Sequence, residues 1–410
     1  MSDFIFEKLS PKQFLLQLIV PFLAILFFLQ GFRTYVINIY ISFFNILWEG
    51  TGYYLPLLSL IAIGAPLFAI IAHKKISTRK MVSGSAFCTA LFAIPISLQL
   101  SYEIELLFAS LVVSFFAIFL TFHMLQRVQD TSKISVPAEA ALLSTSFILA
   151  FTYDIFFRSL GITYDPSRLF TYFPFQLFLA IALFTIIVWY MRYPSNSNQP
   201  QEPSTEQIAQ RSITSRLTGI LIIASFGFIF FIEHTVMINP HNILRWSNPE
   251  HFLLDLLLVF ALVIIIMVIG VIILTNSKIR IAVKLDKWPR IVLGNLFTII
   301  VLVLMFFLRN SVFLVLLAQI FILVNLFTII KYVIHPKFQW SANNLCAAIF
   351  LAMLIFILWD FMYAFTFTYA YLGDIGVFFA GQAITILLLA AIILSITSSF
   401  AAYKIGRLSI

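Results

Sequence analysis

A small set of ionisable residues borders the long apolar stretches of this 410-residue sequence, where charged groups are costly unless they pair or face a wet cavity. A carboxylate or an imidazole in such a place can act as a base or a proton donor. An arginine can hold a phosphate or a carboxylate through two parallel N–H bonds. We therefore predict Glu49, His234 and Asp360 as candidate catalytic residues. The candidate substrate-binding residues are Arg158, Arg245 and Trp246.

The densest of these stretches is Phe230–His251, FFIEHTVMINPHNILRWSNPEH. His234 ends an apolar run, Pro240 predicts a turn, and Arg245 stands beside Trp246. One interpretation is a headgroup site in which Arg245 takes the anion and His234 acts as a base or hydrogen-bond donor. The other is a capped loop with a snorkelling arginine and an interfacial tryptophan. The histidines do not have the spacing of metal ligands, so neither a metal nor a cofactor is predicted.

The other stretches also have a functional and a structural interpretation. Asp360 lies in the aromatic run Trp359–Gln382 and either lines a cavity or forms an ion pair between helices. Glu49 is a catalytic acid, a metal ligand or a helix cap. Asp154 and Arg158 are four residues apart, a spacing that favours a structural pair on one helix face.

The composition is that of a membrane protein. Hydrophobic residues make up 62% of the sequence and charged residues 10%, whereas about a quarter of the residues of a soluble domain are charged. Apolar stretches of roughly twenty residues recur, and each can cross the ~30 Å hydrocarbon core as a helix. The predicted fold class is therefore all-α, a polytopic integral membrane protein. The net charge of +8 is explained by membrane topology, so no nucleic-acid partner is predicted.

Twelve spans are predicted, six on each side of a polar, proline-containing segment that should be a solvated linker. The predicted units are a first half at 1–192, a linker at 193–216 and a second half at 217–410. A shorter apolar stretch, Thr34–Trp48, predicts an interfacial or re-entrant helix. The predicted spans are Gln13–Phe32, Gly52–Ala72, Met81–Leu100, Glu105–Leu125, Pro137–Phe157, Leu169–Met191, Leu217–Ile232, Phe252–Leu274, Ile291–Leu308, Val312–Tyr332, Asn344–Thr366 and Val377–Ala402.

The basic residues lie mainly on one side of this arrangement. Twenty of the 25 fall in the two tails, the linker and the loops after even-numbered spans. The positive-inside rule then predicts that both termini and the linker are cytoplasmic. We interpret the charges on that side, Arg127 included, as ordinary solvated topology signals. The remaining five, on the opposite side, are Arg33, Arg158, Arg168, Arg245 and Arg309.

Four stretches on the outer side resemble the membrane-embedded part of a GPI-anchor lipid-remodelling family, whose members include the fungal calcofluor-white-hypersensitive protein and its animal post-GPI-attachment counterpart. The matching pieces are EGTGYYLP at Glu49–Pro56, FFRSLGITYDP at Phe156–Pro166, FIFFIEHTV and RW within Phe228–Trp246, and WDFMYAFTFTYAYLGDIGVFF at Trp359–Phe379. The resemblance implies a site on the lumenal side built from Glu49, Arg158, His234, Arg245 and Asp360. Family members continue into an endonuclease/exonuclease/phosphatase-like domain. The resemblance therefore implies that a hydrolytic step supplied by that domain is either absent or comes from a partner polypeptide that carries it.

The function predicted from these observations is binding of a lipid or lipid-linked headgroup at the outer leaflet, with membrane lipids as partners. Remodelling of that lipid is a further function that the sequence leaves open. Whether the protein is an enzyme is left open. Two alternatives are a membrane glycosyltransferase with a polyprenyl-linked donor and a secondary transporter. The transporter alternative predicts polar residues near the middle of the membrane.

Overall fold

The computed structural model describes residues 18–29, 31–32, 76–96, 102–129, 136–164, 181–186, 213–276, 279, 287–307, 312–335, 338, 340–370 and 375–408. Some of these are described by their backbone alone, among them 155–164, 237–247, 363–370 and 375–383. The regular structure within these residues is helical, and strands are absent from them.

The helices are long, as the apolar stretches predict. Their bounds are α1 Leu18–Leu29, α2 Thr78–Ile96, α3 Tyr102–Gln129, α4 Val136–Tyr164, α5 Ile213–Ala224, α6 Phe226–Ser247, α7 Phe252–Thr275, α8 Trp288–Phe307, α9 Val312–Ile334, α10 Ala342–Ala370 and α11 Ile375–Leu408. A further helical segment covers 181–186. A turn at Ser225 separates α5 from α6, and the two together form one span.

Eight spans within the described residues are long and apolar enough to cross a membrane, so the predicted all-α, polytopic fold class is confirmed. Several helices begin and end close to the predicted residues; α7, for example, ends one residue beyond the predicted Phe252–Leu274. The predicted span Gly52–Ala72 and the stretch Thr34–Trp48 lie outside the described residues. So does the predicted linker as far as residue 212, and α5 begins at Ile213.

The turn predicted at Pro240 is wrong. The helix that contains Glu233 does not end near Ile232 but continues as α6 to Ser247. Proline removes one backbone N–H from the helical ladder, yet membrane helices tolerate it where neighbouring groups satisfy the freed carbonyl. The loop inferred between the seventh and eighth spans is therefore limited to residues between α6 and α7.

The hydroxyl groups inside the membrane helices are satisfied by the helices themselves. Thr121 Oγ1 donates to the carbonyl of Ala117 at 2.8 Å, and Ser144 Oγ donates to that of Ala140 at 2.6 Å. This i to i−4 bond allows serine and threonine to lie in apolar surroundings without an unpaired donor. Ser146 adds a contact between helices, because its hydroxyl also lies 3.0 Å from the carbonyl of Leu18 in α1.

The helices divide into central and peripheral ones. In the span formed by α5 and the start of α6, 83% of the most apolar stretch is buried. In α7 only 22% of the corresponding stretch is buried. α6 packs against α4 from the first half of the chain and against α9, α10 and α11 from the second. α6 therefore contacts helices of both halves.

An aromatic cluster joins the two halves. Phe28 of α1 is stacked on Phe116 of α3 with ring centroids 4.0 Å apart, and Phe230 of α6 lies 5.2 Å from Phe147 of α4. Phe356 of α10 completes the contact, 5.6 Å from Phe230. All five rings are buried, so this contact between the halves is apolar.

Candidate functional site

A carboxyl group is buried where α6 meets α9. Glu233 is 1% exposed and Gln319 of α9 is fully buried. The Gln319 side-chain amide donates a hydrogen bond to Glu233 Oε2 at 3.0 Å. The other carboxylate oxygen, Oε1, has no hydrogen-bond partner among the described atoms. An ionisable group inside a membrane protein that is held by a neutral amide is a functional candidate by default.

The neighbours of Glu233 along α6 contact aromatic rings. Phe230 lies three residues earlier on the same helix and belongs to the cluster that joins the two halves. His234, the next residue, has its ring 6.3 Å from that of Phe356 in an edge-on arrangement. The carboxyl group is therefore placed beside the contact between the halves, in surroundings of low polarity. In such surroundings the ionised and neutral forms of a carboxyl group differ greatly in free energy.

A second buried charge site links α3 to α4. Arg127 and Glu139 form an ion pair at 2.6 Å, with side chains 8% and 6% exposed. Glu139 lies in the first turn of α4, where the helix dipole favours a negative charge. The expectation that Arg127 is a solvated topology charge is wrong, because Arg127 is buried and its guanidinium is paired with the Glu139 carboxylate. His123 lies one turn before Arg127, is 3% exposed and stacks on Phe119.

A third polar group joins α8, α9 and α11. Asn325 of α9 donates to Asn295 Oδ1 of α8 at 3.0 Å, and the Asn295 amide donates to Ser398 Oγ of α11 at 2.9 Å. Asn295 also approaches Ser399 Oγ at 3.2 Å. These bonds satisfy the buried side-chain amide of Asn295 and link three helices to one another.

The residues predicted from the sequence are only partly placed. His234 lies near the middle of α6 and contacts the aromatic cluster. Arg245 and Trp246 lie in the last turn of α6, Arg158 in the last two turns of α4, and Asp360 within α10, each described by its backbone alone. Glu49 lies outside the described residues. Their predicted convergence on one cavity therefore stays a prediction.

Sequence reasoning missed the partner that Glu233 finds. Gln319 and Asn325 are polar residues inside the apolar run of α9, and this isolation within a span was the available signal. The pairing itself depends on how α6 and α9 are aligned in the folded bundle. That alignment is set by packing between helices that are distant in the chain. A cluster of three or more metal-ligating side chains is absent from the described residues.

Comparison with known proteins identifies the fold. No family model matches the chain, and no curated protein matches it. Among solved structures, the E. coli fucose:proton symporter FucP is 14% identical, with 93% of this chain and 98% of that one covered and a TM-score of 0.54. The nucleoside transporter NupG is 13% identical, with 96% and 99% covered and a TM-score of 0.50. The human organic anion transporter MFSD10 (TETRAN) is 14% identical, with 94% and 100% covered and a TM-score of 0.47.

The likeness to FucP and NupG establishes the fold at these identities. The chain shares with them an architecture of about twelve helices in two halves. The predicted arrangement of two six-helix halves is therefore confirmed, and the protein is a multi-pass integral membrane protein. The aromatic cluster lies at the contact between the two halves, and Glu233 lies about one helical turn from Phe230 of that cluster.

Proposed function

We propose that this protein is a secondary transporter that couples solute movement to proton movement, and that Glu233 is the side chain that binds the proton. The observation that carries the proposal is the burial of the Glu233 carboxyl beside the contact between the halves, with the Gln319 amide as its described hydrogen-bond donor. The fold supports the same conclusion, since it is shared with a fucose:proton symporter and a nucleoside transporter.

The chemistry needed for coupling is a reversible protonation. On one side of the membrane the Glu233 carboxylate takes a proton from water and becomes neutral, and on the other side it releases that proton. Neutralisation removes the cost of holding an isolated charge in a dry bundle, so the protonated form stabilises a closed contact between the halves. A packing change at the aromatic cluster would then open the carboxyl to one side or the other.

This proposal replaces lipid-headgroup binding as the preferred function. The membrane part of that hypothesis stands, while its candidate residues Glu49, Arg158, Arg245 and Asp360 have no described side chains. Among the alternatives derived from the sequence, the fold favours the secondary transporter. The lipid-remodelling resemblance and its partner polypeptide remain predictions.

The first test is direct detection of proton binding at Glu233. Infrared difference spectra of the purified protein, recorded across a pH titration, should contain a carboxyl C=O band that is lost in Glu233→Gln. The matched control is Glu105→Gln, which changes a partly exposed carboxyl in α3 and should leave that band in place. A titration series without any band specific to Glu233 would contradict the proton-binding role.

The second test separates coupling from transport. Proteoliposomes that contain the protein are supplied with fucose or a nucleoside in the outside solution as probe solutes. We expect a pH gradient to drive accumulation of a transported probe inside them. Glu233→Gln imitates the protonated carboxyl and cannot release a proton. It should therefore abolish accumulation above the external concentration, while exchange of labelled solute across the membrane continues. Equal accumulation by the variant and the natural protein under the same gradient would contradict the proposal.

A further inference from the structure

A groove of about 650 Å³ runs along the outside of the bundle between α8 and α11. Trp288 and Tyr403 line one end and Ile299 and Ile392 line the other, so the two helices run antiparallel along it. Eight of the eleven lining residues are aromatic or aliphatic, so the groove suits a hydrocarbon chain. We propose that it binds an acyl chain of an anionic phospholipid, whose headgroup is held by basic residues at the Trp288 end.

The length of the groove matches one leaflet of a bilayer. Trp288 and Ile299 are eleven residues apart, which is about 16 Å along a helix. This is roughly half of the ~30 Å hydrocarbon core. The ring of Trp288 meets that of Tyr403 edge-on at 5.8 Å, and such aromatic residues are enriched at the level of the lipid headgroups. The groove therefore runs from the headgroup level to about the middle of the membrane.

Basic residues are concentrated at the headgroup end. The Lys404 ammonium lies 5.3 Å from the ring centroid of Phe400, which lines the groove. The Arg407 guanidinium lies 4.6 Å from the ring centroid of Tyr403. Lys287 and Arg290 are exposed at the start of α8. The charge complementarity is with an anionic headgroup rather than a zwitterionic one, because basic pockets between membrane helices attract anionic lipids.

The groove has a fixed floor. Asn295 lies in it, is 2% exposed and donates a hydrogen bond to Ser398 across the junction between α8 and α11. The Asn325 side-chain amide donates a hydrogen bond to Asn295 Oδ1 at 3.0 Å. These bonds keep the two helices at one separation, so the groove exists before the lipid arrives. Leu296 and Ile396 form its walls and are 55% and 64% exposed.

The experiment measures the melting temperature of the purified protein in a neutral detergent, with phosphatidylglycerol or phosphatidylcholine added. Phosphatidylglycerol should raise the melting temperature at lower concentration than phosphatidylcholine. Lys404→Gln with Arg407→Gln should weaken the apparent affinity for phosphatidylglycerol by about 30-fold, since two basic contacts near the membrane surface are lost. Soluble glycerol phosphate, which has the charge without the acyl chains, should give no shift.

Two matched controls test the location. Arg79→Gln with Lys80→Gln removes the same charge from α2, and it should leave the phosphatidylglycerol shift unchanged. Leu296→Trp fills the groove and should abolish the shift. Leu293→Trp places the same ring on the same helix, at a position 71% exposed and outside the groove, and should preserve it.

Three results would overturn the proposal. Equal shifts with the two lipids would remove the preference for an anionic headgroup. Equal losses in the two charge-removing variants would mean that the lipid responds to overall charge and not to this end of the groove. Equal behaviour of Leu296→Trp and Leu293→Trp would mean that no acyl chain enters the groove.

Discussion

Two carboxyl groups in the described helices are buried in different ways, and this difference is why the proton-binding role is proposed for Glu233 and not for Glu139. Glu139 has the Arg127 guanidinium at 2.6 Å, so its charge is neutralised within the fold. Glu233 has a neutral amide as its described donor and an oxygen without a partner in the described structure. A paired charge is stable as it stands, whereas a carboxyl held by an amide can gain or lose a proton without breaking an ion pair.

The Arg127–Glu139 pair should respond to substitution as a structural pair does. Arg127→Met leaves the Glu139 charge buried without its partner, and the expected loss is about 3–5 kcal/mol of stability. Arg127→Met combined with Glu139→Leu removes both charges and should recover most of that loss. Thermal unfolding of the purified variants in detergent checks both. A double variant that melts as low as the single one would contradict a role confined to neutralising Glu139.

At the scale of the helices, close packing is decided by small residues. A Cβ added to Gly227 of α6 would collide with the carbonyl oxygen of Ala352 and with the Ile355 side chain in α10. The absence of a side chain therefore lets these two central helices approach backbone to backbone. Gly294 of α8 is different, because a Cβ at that position would meet nothing within 4 Å.

These two glycines give a matched pair of substitutions. Gly227→Ala should destabilise the protein by roughly 1–3 kcal/mol, because α6 must move away from α10. Gly294→Ala should be neutral or stabilise by up to about 1 kcal/mol, since alanine is the better helix former and the added methyl has room. Melting temperatures and elution profiles of the two variants provide the measurement. Equal changes in melting temperature for the two variants would contradict a close approach of α6 and α10 at Gly227.

At the scale of the whole molecule, the sequence predicted the elements well and their contacts poorly. The twelve apolar runs are bounded by charged and polar residues, so helices such as α7 and α9 begin and end close to the predicted residues. Pro240 misled the prediction of α6, because proline favours turns in water more strongly than in a membrane helix. The Gln319–Glu233 and Arg127–Glu139 contacts depend on the alignment of whole helices, which hydrophobic patterning does not specify when lipid and core are equally apolar.

The contacts between helix ends agree with the predicted alternation of the chain across the membrane. A Cβ on Gly219, near the start of α5, would meet the Trp340 ring just before α10, and Trp288 at the start of α8 contacts Tyr403 near the end of α11. In the twelve-span topology all four positions lie on one side. The distribution of basic residues predicts that this side is cytoplasmic.

That orientation can be tested with single cysteines in a chain whose Cys88 and Cys346 have been replaced by alanine. Ser197→Cys in the linker and Ser277→Cys after α7 should react with a membrane-impermeant maleimide only after the cells are permeabilised. Ser311→Cys, between α8 and α9, should react in intact cells. Two predicted spans separate positions 197 and 277, so both positions must lie on the same side of the membrane if the span count is right. Labelling of only one of them in intact cells would overturn the span count. Labelling of both, with Ser311→Cys protected, would keep the span count and reverse the orientation.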